Sequence, residues 1–129
     1  MDKKNKTIPF DFVLDYLSAA DPYVKPMFGC YGIYIGDKIV MATRDKKDYP
    51  IDNGVWLATT HEHHASLRKD FPALRSIKIF GSGESGWQVL SEKSRDFEES
   101  VIKACQLILK GDPRIGKIPK PKKATKKRD

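Results

Sequence analysis

The hydrophobic positions of the chain change period several times, and each change marks an element. In "PFDFVLDYLSAAD", Phe10, Val13, Leu14 and Leu17 recur at helical spacing, with Pro9 near the first turn where its missing N–H costs nothing. Asp21-Pro22 ends that helix, and "YVKP" reads as a short extended linker, because residues before proline avoid the α region. Alternation then takes over. Tyr31, Ile33 and Ile35 share one face of a strand, with Gly32 and Tyr34 on the other. Gly36-Asp37 has glycine first, as a type II′ turn requires, and Lys38 to Arg44 returns as the partner strand. After the polar connection "DKKDYPIDNG", "VWLATT" predicts a third strand.

The second half repeats the alternation of types. Thr59 and Glu62 have capping-box spacing ahead of a helix, "HEHHASLRKDF", in which Leu67 and Phe71 lie one turn apart. "SIKIF" and "GWQVL" predict a second hairpin across the glycine-rich loop "GSGESG". Asp96 and Glu99 have the same cap spacing before a last helix with the stripe Phe97, Val101, Ala104, Cys105 and Ile108. Gly111 and Pro113 stop it. Hairpin-linked strands predict an antiparallel five-stranded sheet with helices against it, an α+β fold of order α-β-β-β-α-β-β-α.

Composition sets the scale. The chain has 129 residues, 40% hydrophobic and 32% charged, which fits one domain able to bury about two-thirds of its unfolded surface. No apolar run approaches the ~20 residues of a membrane span. "MDKKNKTIPFDF" lacks the apolar stretch of a secretory signal, so a cytoplasmic location and no membrane partner are expected. Cys30 and Cys105 both sit in apolar-periodic segments and read as reduced, structural thiols. The net charge of +7 is localised: residues 114–129 carry eight Lys or Arg against Asp129, which accounts for the whole excess. We therefore divide the chain into a body, residues 1–113, and a disordered basic tail, residues 114–129.

Candidate chemistry follows. "GCYGIYIG" is glycine-rich, yet it leads into a strand rather than a helix N-terminus, so it serves the fold and not a phosphate. His61, His63, His64 and Glu62 form the most metal-like cluster, in which His61 and His64 share a helix face; two ligands fall short of the three or four zinc requires. The alternative function, a small-molecule or metal-binding protein, would rest on His61 and His64. No nucleophile–base order, Walker loop or dinucleotide fingerprint is present. A non-enzymatic protein without a cofactor is the expectation, with no catalytic residue assigned. The tail "RIGKIPKPKKATKKRD" is the interaction signal: Lys120, Lys122, Lys123, Lys126, Lys127 and Arg128 suit sequence-independent contact with nucleic acid or an acidic protein partner. A homodimer through a sheet edge, or through Trp56 or Trp87, is also predicted.

"KPMFGCYGIYIGDKIVMA" followed by "GVWLATT" and a helix resembles the N-terminal domain of the TfoX/Sxy family. Met27-Phe28-Gly29, Gly32 and the Gly36-Asp37 turn match its motif in order, and Val55-Trp56-Leu57 fits its third strand. The specific motif covers residues 27–38, and the element order extends over residues 9–111. The resemblance implies a single-domain member with a fold similar to secretion chaperones, acting as an interaction or regulatory module.

Overall fold

The computed structural model describes residues 8–27, 29–81 and 83–119. The fold is α+β, with an antiparallel six-stranded open sheet in the order β1-β2-β3-β4-β6-β5. The strands are β1 Tyr23–Met27, β2 Cys30–Ile35, β3 Lys38–Arg44, β4 Gly54–Ala58, β5 Arg75–Ser76 and β6 Trp87–Ser91. Three helices, α1 Phe12–Tyr16, α2 His64–Asp70 and α3 Phe97–Leu109, complete it. None is long and apolar enough to cross a membrane.

The expected five strands become six because "YVKP" is a strand rather than a linker. Proline holds the preceding backbone extended, and that backbone pairs with β2 from Tyr23↔Tyr34 to Met27↔Cys30. Pro26 is tolerated because β1 is the edge strand, where a missing N–H breaks no ladder on the outer side. The second hairpin is shorter than expected. Arg75 and Ser76 pair with β6, and Ile77 adds one backbone bond to Trp87 O at 3.2 Å; beyond it the N–H groups of Lys78 and Ile79 donate instead to Asp52 Oδ2, each at 2.8 Å. The β2–β3 turn has positive φ at Gly36 and not at Asp37, as a II′ turn demands. Neither cap forms as expected: Thr60, not Thr59, precedes the 3-10 turn His61–His63, and Asp96 makes no side-chain cap bond to α3.

The two sheet faces differ. On one, Ile33, Met41, Val55, Leu57 and Leu90 meet Val13 and Leu17 around α1, Leu67 of α2, and Val101, Ala104 and Cys105 of α3. Phe10 meets Phe97 edge-on, with centroids 5.2 Å apart, joining the first and last helical segments. A bulge on β3, where the register passes from Ile33↔Met41 to Tyr34↔Ile39, turns Val40 as well as Met41 into this core. On the other face, cross-strand register aligns Lys25, Gly32, Ala42, Trp56, Val89 and Arg75 in one row. Its cluster of Cys30, Ala42, Trp56, Ile77 and Val89 contains no helical residue.

The boundary expected after residue 113 moves. Ile115 is only 2% exposed and belongs to the helix-side core. Gly116 N–H donates to Ala58 O at 2.7 Å, and Lys117 exchanges two 2.9 Å backbone bonds with Ile39. Residues 114–117 are thus part of the body and not of a free tail: they fill the place beside β3 beyond the end of β4. Residues 120–129 lie outside the described part of the chain.

Candidate functional site

The helix-free sheet face divides into two halves. Over β4 and β6 it is closed. Trp56, 1% exposed, donates its indole N–H to Asp52 O at 2.8 Å and lies against Trp87, with centroids 5.8 Å apart. Asp52 itself is fully buried and also accepts from Arg75 at 3.1 Å, which ties the 45–53 loop to the β5 edge. Arg44, equally buried, holds the same loop by donating to Tyr49 O, Asp48 O and Asn53 Oδ1. These residues bury charge with every partner in place, the condition under which buried charge is tolerable.

Over β1–β3 the face is only partly covered: Cys30 and Ala42 are buried in one cluster with Ile77, whereas Tyr34 is half-buried and Tyr23 and Lys25 are exposed. Tyr23 and Tyr34 stack with centroids 5.3 Å apart and planes inclined 14°, and Tyr23 Oη donates to Gly36 O at 2.8 Å. Lys25 Nζ lies 5.2 Å from the Tyr34 centroid, within cation–π range. Beside the pair is a cleft of about 210 Å³ lined by Met27, Tyr34, Ile39, Trp87, Lys117 and Pro119. Gly32 makes this surface possible. A Cβ there would sit 3.0 Å from Ile39 Cδ1, 3.3 Å from Tyr34 Cε1 and 3.4 Å from Met27 Sδ, so the three side chains close over the place it leaves vacant. The glycine of the opening hairpin thus shapes a surface, as well as serving the fold.

The C-terminal segment ends on the same surface. From α3 the chain turns through Asp112 and Arg114. Arg114 donates to both Asp112 oxygens and to Ser66 Oγ and pairs with Asp70 at 2.9 Å. Its guanidinium holds the Asp112 carboxyl below the usual carboxylate range, and Asp112 in turn raises the Arg114 pKa. Ile115 enters the helix-side core, Lys117 pairs with β3, and Pro119 lines the cleft on the opposite face. Lys117 and Ile118 are exposed there. Lys120, Lys122, Lys123, Lys126, Lys127 and Arg128, the expected contact residues, lie outside the described residues; the described chain ends at Pro119, in the lining of this cleft.

A second polar cluster surrounds the predicted histidines. His64 is 4% exposed and donates from Nδ1 to Glu84 Oε1 at 2.8 Å, while its Nε2 is buried without a hydrogen bond. Arg68 bridges Glu84 at 3.3 Å and Gln88 at 2.8 Å, and Ser76 Oγ donates to the same carboxylate. Donation from His64 first, then from Arg68, draws the Glu84 carboxyl below its ordinary pKa. The His61 ring lies 4.9 Å from that of His64 but is exposed, and His63 faces Glu62 at 3.3 Å. Among the described residues no group of three or more His, Cys, Asp or Glu is arranged to hold a metal. The cluster fastens the 81–86 loop to α2.

Both cysteines are free and buried. Desolvation pushes the Cys30 thiol up to about 11 against the opposing pull of Arg44 and Lys46, and the Cys105 thiol up to about 12. Thiols held this neutral are poor nucleophiles. Trp56 is buried and so offers no dimer contact; Trp87 is half-buried against it. Both sheet edges are blunted, β1 by Lys25 and Pro26 and β5 by its two-residue length.

Sequence reasoning missed Tyr23, Lys25 and Lys117, having assigned the first two to a linker and the third to the tail. It had placed Tyr34 with Gly32 on the face of β2 opposite Tyr31, Ile33 and Ile35, and that was the available signal. Comparison with protein-family models, with curated proteins and with solved structures gave no match.

Proposed function

We propose that this protein is a non-enzymatic interaction module that contacts nucleic acid through its basic C-terminal segment. One observation carries the reading: the described chain ends at Pro119, in a cleft with exposed Lys117, on the helix-free face that already holds Lys25. Six further Lys or Arg follow in sequence within residues 120–129, so the excess positive charge adjoins this surface along the chain. The neutral thiols and the structural engagement of Asp52, Glu84 and Asp112 support the non-enzymatic part of the reading. The likeness of residues 27–38 to the TfoX/Sxy motif, with its secretion-chaperone-like fold and regulatory role in the cytoplasm, is part of this proposal and accords with an interaction domain.

Polyanion binding by Lys and Arg releases counterions, so affinity falls steeply with salt and depends little on sequence. Mobility shift with the full chain and with a chain ending at Pro119 tests it. If all six cations reach phosphates, raising salt from about 50 to 200 mM weakens the full chain roughly a thousandfold. The shortened chain loses most of the salt slope. Equal, salt-insensitive binding by both, or none by the full chain, overturns the proposal.

A further inference from the structure

Building on that reading, we infer that the β1–β3 face is a stacking platform for unpaired bases, so that the preferred ligand is single-stranded nucleic acid. The tail alone has no aromatic residue and supplies only charge. The face supplies what the tail lacks. Tyr34 is half-buried with Tyr23 stacked on it, Trp87 stands at the other side of the cleft, and Met27 and Ile39 form the apolar floor between them. Rings fixed on a β-sheet beside lysines are the arrangement by which sheet proteins hold single strands: bases stack on side-chain rings and cations follow the phosphates.

Three features favour this ligand over others that would meet a cationic surface. The cleft, about 210 Å³, is below the ~300 Å³ at which drug-sized sites begin. No described helix projects from this face to enter a duplex groove, and bases stacked within a duplex cannot reach Tyr34. An acidic peptide would use Lys25 and Lys117, but its Asp and Glu side chains carry no aromatic ring to stack on Tyr34. Charge complementarity is supplied from both sides of the platform: Lys25 lies at Tyr34, and exposed Lys117 lines the cleft. A strand laid from Tyr23 across to Trp87 meets rings along its bases and ammonium groups along its backbone.

The test uses fluorescence anisotropy of the full chain with a labelled oligothymidylate of about 12 nucleotides, a length within the range one sheet platform covers. A duplex of equal phosphate number and a polyglutamate competitor serve as the other ligands. Tyr34→Ala is compared with Tyr34→Phe, which keeps the ring, and with Tyr23→Ala. Thermal melting shows each variant folded. We expect Tyr34→Ala to weaken single-strand binding about 5- to 100-fold, Tyr34→Phe to restore it, and duplex binding to change little. Single-strand binding unaltered by Tyr34→Ala, equal affinity for duplex, or displacement by polyglutamate at matched charge would each overturn the platform. The first of these, together with loss of binding on removal of residues 120–129, leaves the tail reading intact. Conversely, loss with Tyr34→Ala and no effect of shortening the chain would overturn the tail reading alone.

Discussion

Replacing Ile115 by alanine tests whether the segment after α3 belongs to the body. The side chain is 2% exposed within the helix-side core. Truncating a buried isoleucine costs about 2–5 kcal/mol, the spread reflecting how far the site relaxes. Here a surface depression of about 350 Å³, lined by Ile35, Val40, Ile108 and Ile115, already borders the residue, so some of its surface lacks packed neighbours. That places the cost near the lower middle, about 3 kcal/mol, or roughly a hundredfold in the folding equilibrium. With an unfolding entropy of about 2.1 cal/mol/K per residue, the melting temperature falls by about 11 °C. A chain ending at residue 113 loses more. It forfeits Ile115 and also the backbone bond of Gly116 to Ala58 and the two between Lys117 and Ile39, each worth about 1 kcal/mol, so about 6 kcal/mol in total. A chain ending at Pro119 keeps all these contacts and melts with the full chain. Circular dichroism melts and urea titration of the three chains give the values. If the 113-residue chain and Ile115→Ala both melt with the full chain, the reasoning is refuted.

Further expectations concern the loop bolts and the sheet. Gly54 has φ +145°, and an added Cβ would lie 2.2 Å from Leu90 O, so Gly54→Ala must displace the β4–β6 ladder; a loss of at least ~2 kcal/mol is expected by urea titration. Asp52→Ala strips two backbone N–H groups and Arg75 of their shared acceptor, and about 3 kcal/mol should be lost, with hydrogen exchange faster at Lys78 and Ile79 than in α3. Glu84 has a depressed carboxyl pKa when folded. Its contribution is therefore present above the unfolded carboxylate value, about 4.3, and fades as pH falls through the folded value. Glu84→Gln should flatten the acid limb of the stability profile below about pH 4.5 while leaving the neutral limb parallel, an effect kept small by exposure of the carboxylate.

Much of the fold was legible because its signals were local. Alternation along Tyr31, Ile33 and Ile35, the Gly36-Asp37 turn and the stripe of α3 each depend on neighbours in sequence, and each appears where expected. What escaped depends on distant partners. "YVKP" is a strand only because β2 offers a free edge, and "SIKIF" leaves the sheet beyond Ile77, where Asp52, more than 20 positions earlier, claims two of its N–H groups. Ile115 and Ile118 both sit among charges, glycines and prolines, so nothing nearby announces that the first fills a core while the second is exposed. The same holds for the platform: Tyr23, Tyr34, Trp87 and Lys117 come from four segments that only the sheet register brings together. The histidines show the converse. Their sequence proximity suggested a joint site, yet His64 turns to Glu84 and His61 stays at the surface.

The most direct measurement is heteronuclear NMR of the full chain titrated with the single-stranded oligonucleotide. Shifts should concentrate at Lys25, Met27, Tyr34, Ile39, Lys117 and the indole N–H of Trp87, while the outer surfaces of α1 and α3 remain unmoved. Shifts confined to residues 120–129, or centred on the helices, would contradict the assignment of the helix-free face as the binding surface.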